Sequence, residues 1–242
     1  MSEALLKIER VSKNFGGFAA LSEVSVAVKE GERFGLIGPN GSGKTTLINC
    51  VSGSLRNDGG SISFSGEEIS RLPAYQRTRR GIARTFQVPR PFSSMPVLEN
   101  LVVPLEFVVH RHSLHKADTQ AEAMAILETI GLADKAATPS NRLSQVELRK
   151  LELARAMAAR PRLLISDEAM AGLAGAEVDE VLAILFKLNE SGITIIMIEH
   201  IMQAVMRFSQ RVICLDAGRI ICEGTPNEIV ANMDVQRAYL GA

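Results

Sequence analysis

Apolar positions fall into short blocks near both ends of the chain and recur with a helical period in its middle. Toward the N-terminus the blocks are strand-like. "LLKIERV" carries apolar residues from Leu5 to Val11, "VSVAV" (24–28) alternates weakly before a turn at Glu30 and Gly31, and "RFGLIG" (33–38) runs into glycine-rich sequence. A helix is predicted from about Gly43, with Leu47, Ile48 and Val51 on its inner side. "GSISFSG" reads as another strand between glycines, and "GIARTFQ" follows the basic run "QRTRR". From about Val97 to Ile130 the period becomes helical. "ADTQAEAMAILETIGL" sets Ala121, Met124, Ala125, Leu127 and Ile130 on one face, and Gly131 stops it. A second helix, rich in Leu, Ala, Arg and Glu, is predicted over 145–159. Strands then return: "RLLIS" (162–166), a helix over about 176–190, "TIIMI", a helix from Ile201 to about Phe208, and "RVICLDAGRIICEG" as two strands around Asp216, Ala217 and Gly218. The tail "PNEIVANMDVQRAYL" is helical in pieces.

Strands alternating with helices predict an α/β core with a parallel sheet. The helical middle, 88–157, interrupts a strand-rich unit made of 1–87 and 158–242. With 242 residues, 46% of them hydrophobic, the chain can bury a sizeable core and is not composed like a disordered one. A formal net charge of +0 speaks against a broad nucleic-acid-binding surface, and no nucleic-acid partner is expected. The cysteines Cys50, Cys214 and Cys222 are odd in number and share no metal-site spacing, which suits a reducing compartment. "MSEALLKIERVSKNFGG" lacks the apolar segment of a signal peptide, and the longest apolar run, "ITIIMI" (193–198), is too short to cross a bilayer. A chain that stays in water but can dock on a membrane protein is expected.

Candidate chemistry begins with "GPNGSGKTT" (38–46), a full G-x-x-x-x-G-K-[ST] match placed after a predicted strand and opening a helix. Backbone N–H groups from Asn40 through Gly41, Ser42, Gly43, Lys44 and Thr45 to Thr46 can converge on phosphate oxygens, helped by the helix N-terminus. Gly38 opens the turn, and Gly41 and Gly43 permit close backbone approach. Lys44 can reach the β- and γ-phosphates of a nucleotide, and Thr45 can place its hydroxyl on Mg²⁺. Asp167 follows a buried strand, where a carboxylate can bind Mg²⁺ directly or through water. The adjacent Glu168 points elsewhere and can polarise a water for attack. Ser166 interrupts the apolar run, and a backbone partner for its hydroxyl is expected.

With these residues in place, the whole chain resembles the nucleotide-binding subunit of ATP-binding-cassette transporters. "GPNGSGKTT" looks like the Walker A motif, and "LLISDE" resembles Walker B followed by the catalytic glutamate. The resemblance implies a P-loop NTPase (RecA-like) α/β core, an antiparallel β subdomain and an inserted helical subdomain, with ATP and Mg²⁺ as ligands. It casts Glu168 as the catalytic carboxylate, with Lys44 also in the catalytic set, and places Thr45, Gln87 and Asp167 around the metal. Gln87 in "RTFQ" matches the Q-loop glutamine, and His200 in "IEH" matches the switch histidine near the γ-phosphate. Phe15 in "SKNFGG" stands where an aromatic stacks on adenine, and Phe18 is an alternative neighbour. "GIARTFQ", "MPVLEN", "DEAMAGL", "EGTPNEI" and "AYLG" are similar to the branched-chain amino acid uptake subfamily, while amide and urea importers and a lipopolysaccharide-export ATPase share much of the pattern.

"LSQVE" (143–147) falls where the family signature belongs, and it has two readings. Locally, Ser144 is an N-cap and Glu147 completes a capping box. In the family, the same helix start presents Ser144 to the ATP of a partner subunit. Val146 replaces the second signature glycine, Ala174 stands near the usual Asp or Asn of the following loop, and Ala169 takes the usual proline position. These departures leave the chain's own site intact and bear on its contribution to the opposite one. The resemblance implies a second ATPase subunit (homodimer or heterodimer), two transmembrane permease subunits docking near "VPRPFSSMP", where Phe92 and Met95 supply apolar contacts, and a periplasmic substrate-binding protein. It implies a peripheral location on the cytoplasmic face of the inner or plasma membrane. The alternative is a catalytically weak regulatory subunit of a heteromeric transporter. A DNA-repair or translation-associated cassette fits less well, since the chain has no second cassette, coiled-coil insertion or strong basic balance.

Overall fold

A long antiparallel hairpin opens the computed structural model, which describes residues 4–109 and 116–240. Its strands, β1 (Ala4–Phe15) and β2 (Phe18–Lys29), extend well beyond the predicted blocks "LLKIERV" and "VSVAV". Their register shifts between Ile8 and Val11, and Arg10 and Glu23 adopt positive φ there. Each such bulge resets which face a side chain points to, so the strands continue while the period-two pattern breaks.

β3 (Arg33–Ile37) follows, then the loop to α1 (Lys44–Ser52), β4 (Gly59–Phe64) and the two-residue β5 (Glu67–Glu68). The basic run contains a short helix absent from the sequence reading, α2 (Ala74–Arg79), which leads to β6 (Ile82–Arg84). Its inward residue is a charged one. Arg77 is buried, and its guanidinium donates to the carbonyls of Cys50, Val51, Ser70 and Leu72. No apolar periodicity could therefore have revealed this helix.

Between β6 and the next strand lie α3 (Val97–Pro104), α4 (Lys116–Ile130) and α5 (Gln145–Met157). Part of the helical stretch expected over 97–130 lies outside the described residues, namely 110–115. α3 passes into a π-helical turn at Leu105–Val109, directly after Pro104, whose missing N–H interrupts the α-helical ladder. The chain then gives β7 (Leu163–Asp167), α6 (Ala176–Glu190), β8 (Thr194–Ile198), α7 (Met202–Phe208), β9 (Arg211–Asp216), β10 (Arg219–Gly224), α8 (Pro226–Ala231) and α9 (Met233–Leu240).

Two sheets result. One is antiparallel with order β2-β1-β4-β5. The other has order β10-β9-β3-β8-β7-β6 and is parallel except for β10. The parallel sheet is covered on both faces. Ile196 and Ile198 join a core shared with α1 and the antiparallel sheet, through Leu47, Ile48, Leu6 and Phe64. Ile195 and Met197 face a core shared with α6, α7 and the helical lobe, through Leu185, Phe208, Leu151 and Leu127. Burial on both faces explains why "TIIMI" is apolar at every position. The hydroxyl expected to find a backbone partner does not: Ser166 Oγ is buried with no hydrogen-bond partner among the described residues. No helix of the described residues is long and apolar enough to cross a membrane.

Candidate functional site

β3 delivers the chain to the phosphate loop, and α1 carries it away with no side-chain cap on its first turn. An uncapped helix N-terminus leaves N–H groups for an anion. Two glycines are dictated by close backbone approach. At Gly38 (φ 150) a Cβ would lie 2.1 Å from the Leu215 carbonyl oxygen, and at Gly43 (φ 106) it would lie 2.6 Å from that of Ala20. The Lys44 side chain is buried and donates to the carbonyls of Gly38 (2.7 Å) and Pro39 (3.0 Å). Burial lowers its pKa, and the negative charges of Glu168 and Asp167 oppose that shift. Ser42 Oγ is buried inside the loop without a partner among the described residues.

The cavity above this loop is walled by residues 40–46, by the exposed rings of Phe15 and Phe18, and by Glu168 and His200. Phe15 and Phe18 both remain available to a flat ligand, and Lys13 Nζ stands 5.6 Å from the Phe15 ring centroid. Glu168 is held in an unusual backbone state, with φ of 49°. Its N–H donates to the Ile198 carbonyl at 2.8 Å, and its Oε1 lies 2.8 Å from His200 Nε2. Left-handed non-glycine residues cost energy and gather at functional sites.

Four expected residues lie outside that cavity lining: Gly38, at the base of the loop, and Asp167, Gln87 and Ser144. Asp167 ends β7 and accepts from both Nη2 (2.5 Å) and Nε (3.2 Å) of Arg84. The same guanidinium donates to Asn49 Oδ1 at 2.6 Å, one helical turn beyond Thr45. Arg84 thereby joins the helix of Thr45 to the strand of Asp167. Gln87 is exposed, and its main-chain carbonyl accepts from Arg149 Nη1, whose Nη2 donates to Ala171 O at 2.8 Å. Ser144 caps α5 as expected: the Glu147 N–H donates to Ser144 Oγ (3.3 Å), and the Ser144 N–H donates to Glu147 Oε2 (2.8 Å). Ser144 and Ala174 are exposed, whereas Val146 is half-buried against the helical core.

Sequence reasoning passed over Arg84, Arg149 and Glu199. Glu199 is buried and accepts from the Met170 N–H at 2.9 Å, tying β8 to the loop after Glu168. Burial pushes its carboxyl up to about 7, with the Met170 N–H opposing and the Glu168 charge adding to the rise. Arg84 and Glu199 stand inside the motifs "GIARTFQ" and "IEH", but neither residue type signals burial.

By residue type, Thr45, Asp167 and Gln87 offer a hydroxyl, a carboxylate and an amide oxygen, the hard-oxygen donors that suit Mg²⁺; of the three, Thr45 alone lines the cavity, and Asp167 is paired with Arg84. Among the described residues no cluster of three or more His, Cys, Asp or Glu forms a metal cage by itself.

The chain matches the ABC transporter family over residues 21–171, and over residues 219–242 it matches the family described as branched-chain amino acid ATP-binding cassette transporter. It is 37% identical to the high-affinity branched-chain amino acid transport ATP-binding protein BraF of Pseudomonas aeruginosa, covering 100% of this chain and 99% of that protein. A similar solved structure is an ATP-binding cassette of an ABC transporter in its ADP conformation, with a TM-score of 0.90 and 31% identity over 100% of both chains. Another is the dimeric post-hydrolysis state of an ATP-binding cassette bound to ADP and Pi, with a TM-score of 0.82 and 26% identity over 91% of this chain and 98% of that one.

Proposed function

We propose, from the premise that this chain belongs to the ABC transporter family, that it is the ATP-hydrolysing subunit of an importer of branched-chain amino acids. The observation that carries the ATPase reading is the meeting of the phosphate loop, Glu168 and His200 around one cavity. The C-terminal match and the BraF likeness support the cargo.

In this reading the loop amides and Lys44 bind the phosphates and stabilise charge on the transferring phosphoryl group. Lys44 exchanges its two carbonyl partners for phosphate oxygens. Glu168 orients a water and takes up its proton as the oxygen attacks the γ-phosphorus in line, the bond from that phosphorus to the β-phosphate oxygen breaks, and ADP and phosphate leave; His200 holds Glu168 and faces the γ-phosphate. Phe15 or Phe18 flanks the adenine. Thr45, Asp167 and Gln87 would hold Mg²⁺, which when bound neutralises phosphate charge. Ser144, at the exposed start of α5, serves the ATP of a second cassette, and the dimeric cassette relative supports that assembly. The permease docks on the segment 88–96, where Phe92 is exposed and stacks under Arg155, whose side chain also lines an open groove with Phe86 and Val108. The assembly comprises two cassettes, two permease subunits and a periplasmic binding protein, with this chain peripheral on the cytoplasmic face.

A second reading, a weakly hydrolysing partner in a heterodimer, is favoured by Val146 and Ala174, which stand where the family carries glycine and Asp or Asn. Reconstitution separates the two. Vesicles holding the full transporter should take up leucine, isoleucine or valine with ATP, and Lys44→Ala in this chain should abolish both its nucleotide binding and uptake. Uptake of an amide or urea, or lipid-polysaccharide export, would reassign the cargo. Uptake that persists with Lys44→Ala would support the regulatory reading.

A further inference from the structure

The sheet ladder around β3 stops at Ile37, which pairs with Cys214, so the next N–H, that of buried Gly38, has no strand partner. A buried unpaired donor is costly, and the fold supplies an acceptor from the far end of the chain. The Gly38 N–H donates to Tyr239 Oη at 2.8 Å. Gly38 is also the residue whose carbonyl accepts from Lys44 Nζ. Two peptide planes meet at its Cα: one is fixed by Tyr239, and the other holds the phosphate-binding lysine. With φ of 150° and the Leu215 carbonyl 2.1 Å from where a Cβ would stand, the position admits no side chain of its own to hold it.

The helix that brings Tyr239 is anchored independently. Val235 is buried, and Asn232 Oδ1 caps the start of α9 by accepting from the N–H groups of Asp234 (2.9 Å) and Val235 (3.1 Å). The Tyr239 residue itself is 43% exposed, so its ring is not a core element and the hydroxyl is the inward-directed part. Burial raises the phenol's pKa and keeps it protonated.

We propose that Tyr239 is a positioning residue of the phosphate loop: its hydroxyl fixes the Gly38 amide, and through Gly38 it sets the geometry in which Lys44 meets nucleotide. The inference rests on the reading above that this loop binds ATP. It assigns to the C-terminal helix a part in nucleotide affinity, and any change that lifts α9 would loosen the loop without touching a phosphate-binding group.

The test uses the full chain and Tyr239→Phe, which removes one oxygen and keeps the ring. Mg-ATP titration by calorimetry should show affinity weakened about fivefold, the effect of one lost hydrogen bond. In the reconstituted transporter KM for ATP should rise with kcat nearly unchanged. Hydrogen–deuterium exchange of the nucleotide-free protein should be faster in the peptide containing Gly38, while β7 and β8 stay as protected as before. Arg237→Ala, on the exposed side of α9, should change none of these. Wild-type affinity together with wild-type exchange in Tyr239→Phe overturns the proposal. If the unaltered chain binds no nucleotide, the ATP reading fails. Exchange at Gly38 then decides the contact by itself, and an unchanged rate overturns it.

Discussion

His200 Nε2 lies 2.8 Å from Glu168 Oε1, so two adjacent parallel strands each extend a side chain past their ends and the two meet over the phosphate loop. The Glu168 main chain is pinned at the same time to the Ile198 carbonyl. The pair is thus placed by the sheet rather than by a free loop, a fixed placement that suits the water-orienting role proposed for Glu168.

Glu168→Gln tests the chemical half of this pair. The amide keeps the size and a hydrogen bond to His200 but loses the basic oxygen. Phosphate release by the reconstituted transporter should fall at least ~100-fold, the usual worth of a positioned general base. Mg-ATP affinity should stay within about twofold. His200→Ala should lower turnover as well, and the double variant should be no slower than the slower single one, because residues acting as a unit are not additive. Independent, multiplying losses would show that the two act separately.

Arg84 and Asp167 make a buried pair, with side chains 10% and 9% exposed. Removing one partner leaves an uncompensated charge, at a cost of about 3–5 kcal/mol. Urea unfolding of Arg84→Gln should show that loss, and Arg84→Gln with Asp167→Asn should recover part of it. A single-variant loss under about 0.5 kcal/mol would mean that water already screens the pair.

The phosphate loop, Glu168 and His200 were legible because each is specified by a few consecutive residues at the end of an apolar strand. The site's supports were not. Arg84 meets Asp167 across 83 positions, and Tyr239 meets Gly38 across 201. Among the described residues, Arg149 bonds only main-chain oxygens, which carry no sequence identity. The same holds for the fold. The distal half of the first hairpin lost its alternation at the Arg10 and Glu23 bulges, and α2 was hidden because the side chain it buries is Arg77. Local chemistry is readable from the chain, whereas the groups that hold it in place depend on contacts only folding creates.

Glu199 predicts a pH dependence. The folded protein keeps this carboxyl protonated up to about 7, whereas the ordinary value is 4.5. Between those values the native state binds more protons than the unfolded chain, so stability falls as pH rises. The contribution is fully present below 4.5 and lost above about 7, and its ceiling is on the order of 3 kcal/mol. Glu168 and Asp167 add to the rise and Arg149 opposes it. Glu199→Gln keeps an acceptor for the Met170 N–H without the charge. Its melting temperature, relative to the unaltered chain, should climb from pH 5 to about pH 7 and then level off toward pH 8. A constant difference across that range would show that Glu199 is ionised in the fold.

On the proposed reading that the start of α5 serves a partner's ATP, Val146 bears on how closely that ATP can approach. It occupies a signature position where glycine allows close approach, and the structure turns part of its side chain inward against the helical core. Two effects therefore oppose each other. Shortening the side chain opens the surface beside Ser144, and it also removes packing. Glycine adds a backbone cost of roughly 1 kcal/mol relative to alanine in a helix interior, less near the first turn. Val146→Ala separates the effects, since alanine removes bulk and favours the helix. In a Glu168→Gln background, where hydrolysis is suppressed, sedimentation with Mg-ATP should show Val146→Ala tightening dimerisation by roughly two- to fivefold, about 0.4–1 kcal/mol. Val146→Gly should gain less, because it also loosens the helix start. ATP affinity of the monomer should not move in either case. The physiological partner belongs in the cell if the transporter is heteromeric. Unchanged dimer affinity in both variants would mean that the exposed part of Val146 never meets the opposite phosphate. Ser144 would then remain the cap of α5, which its bonds with Glu147 already make it.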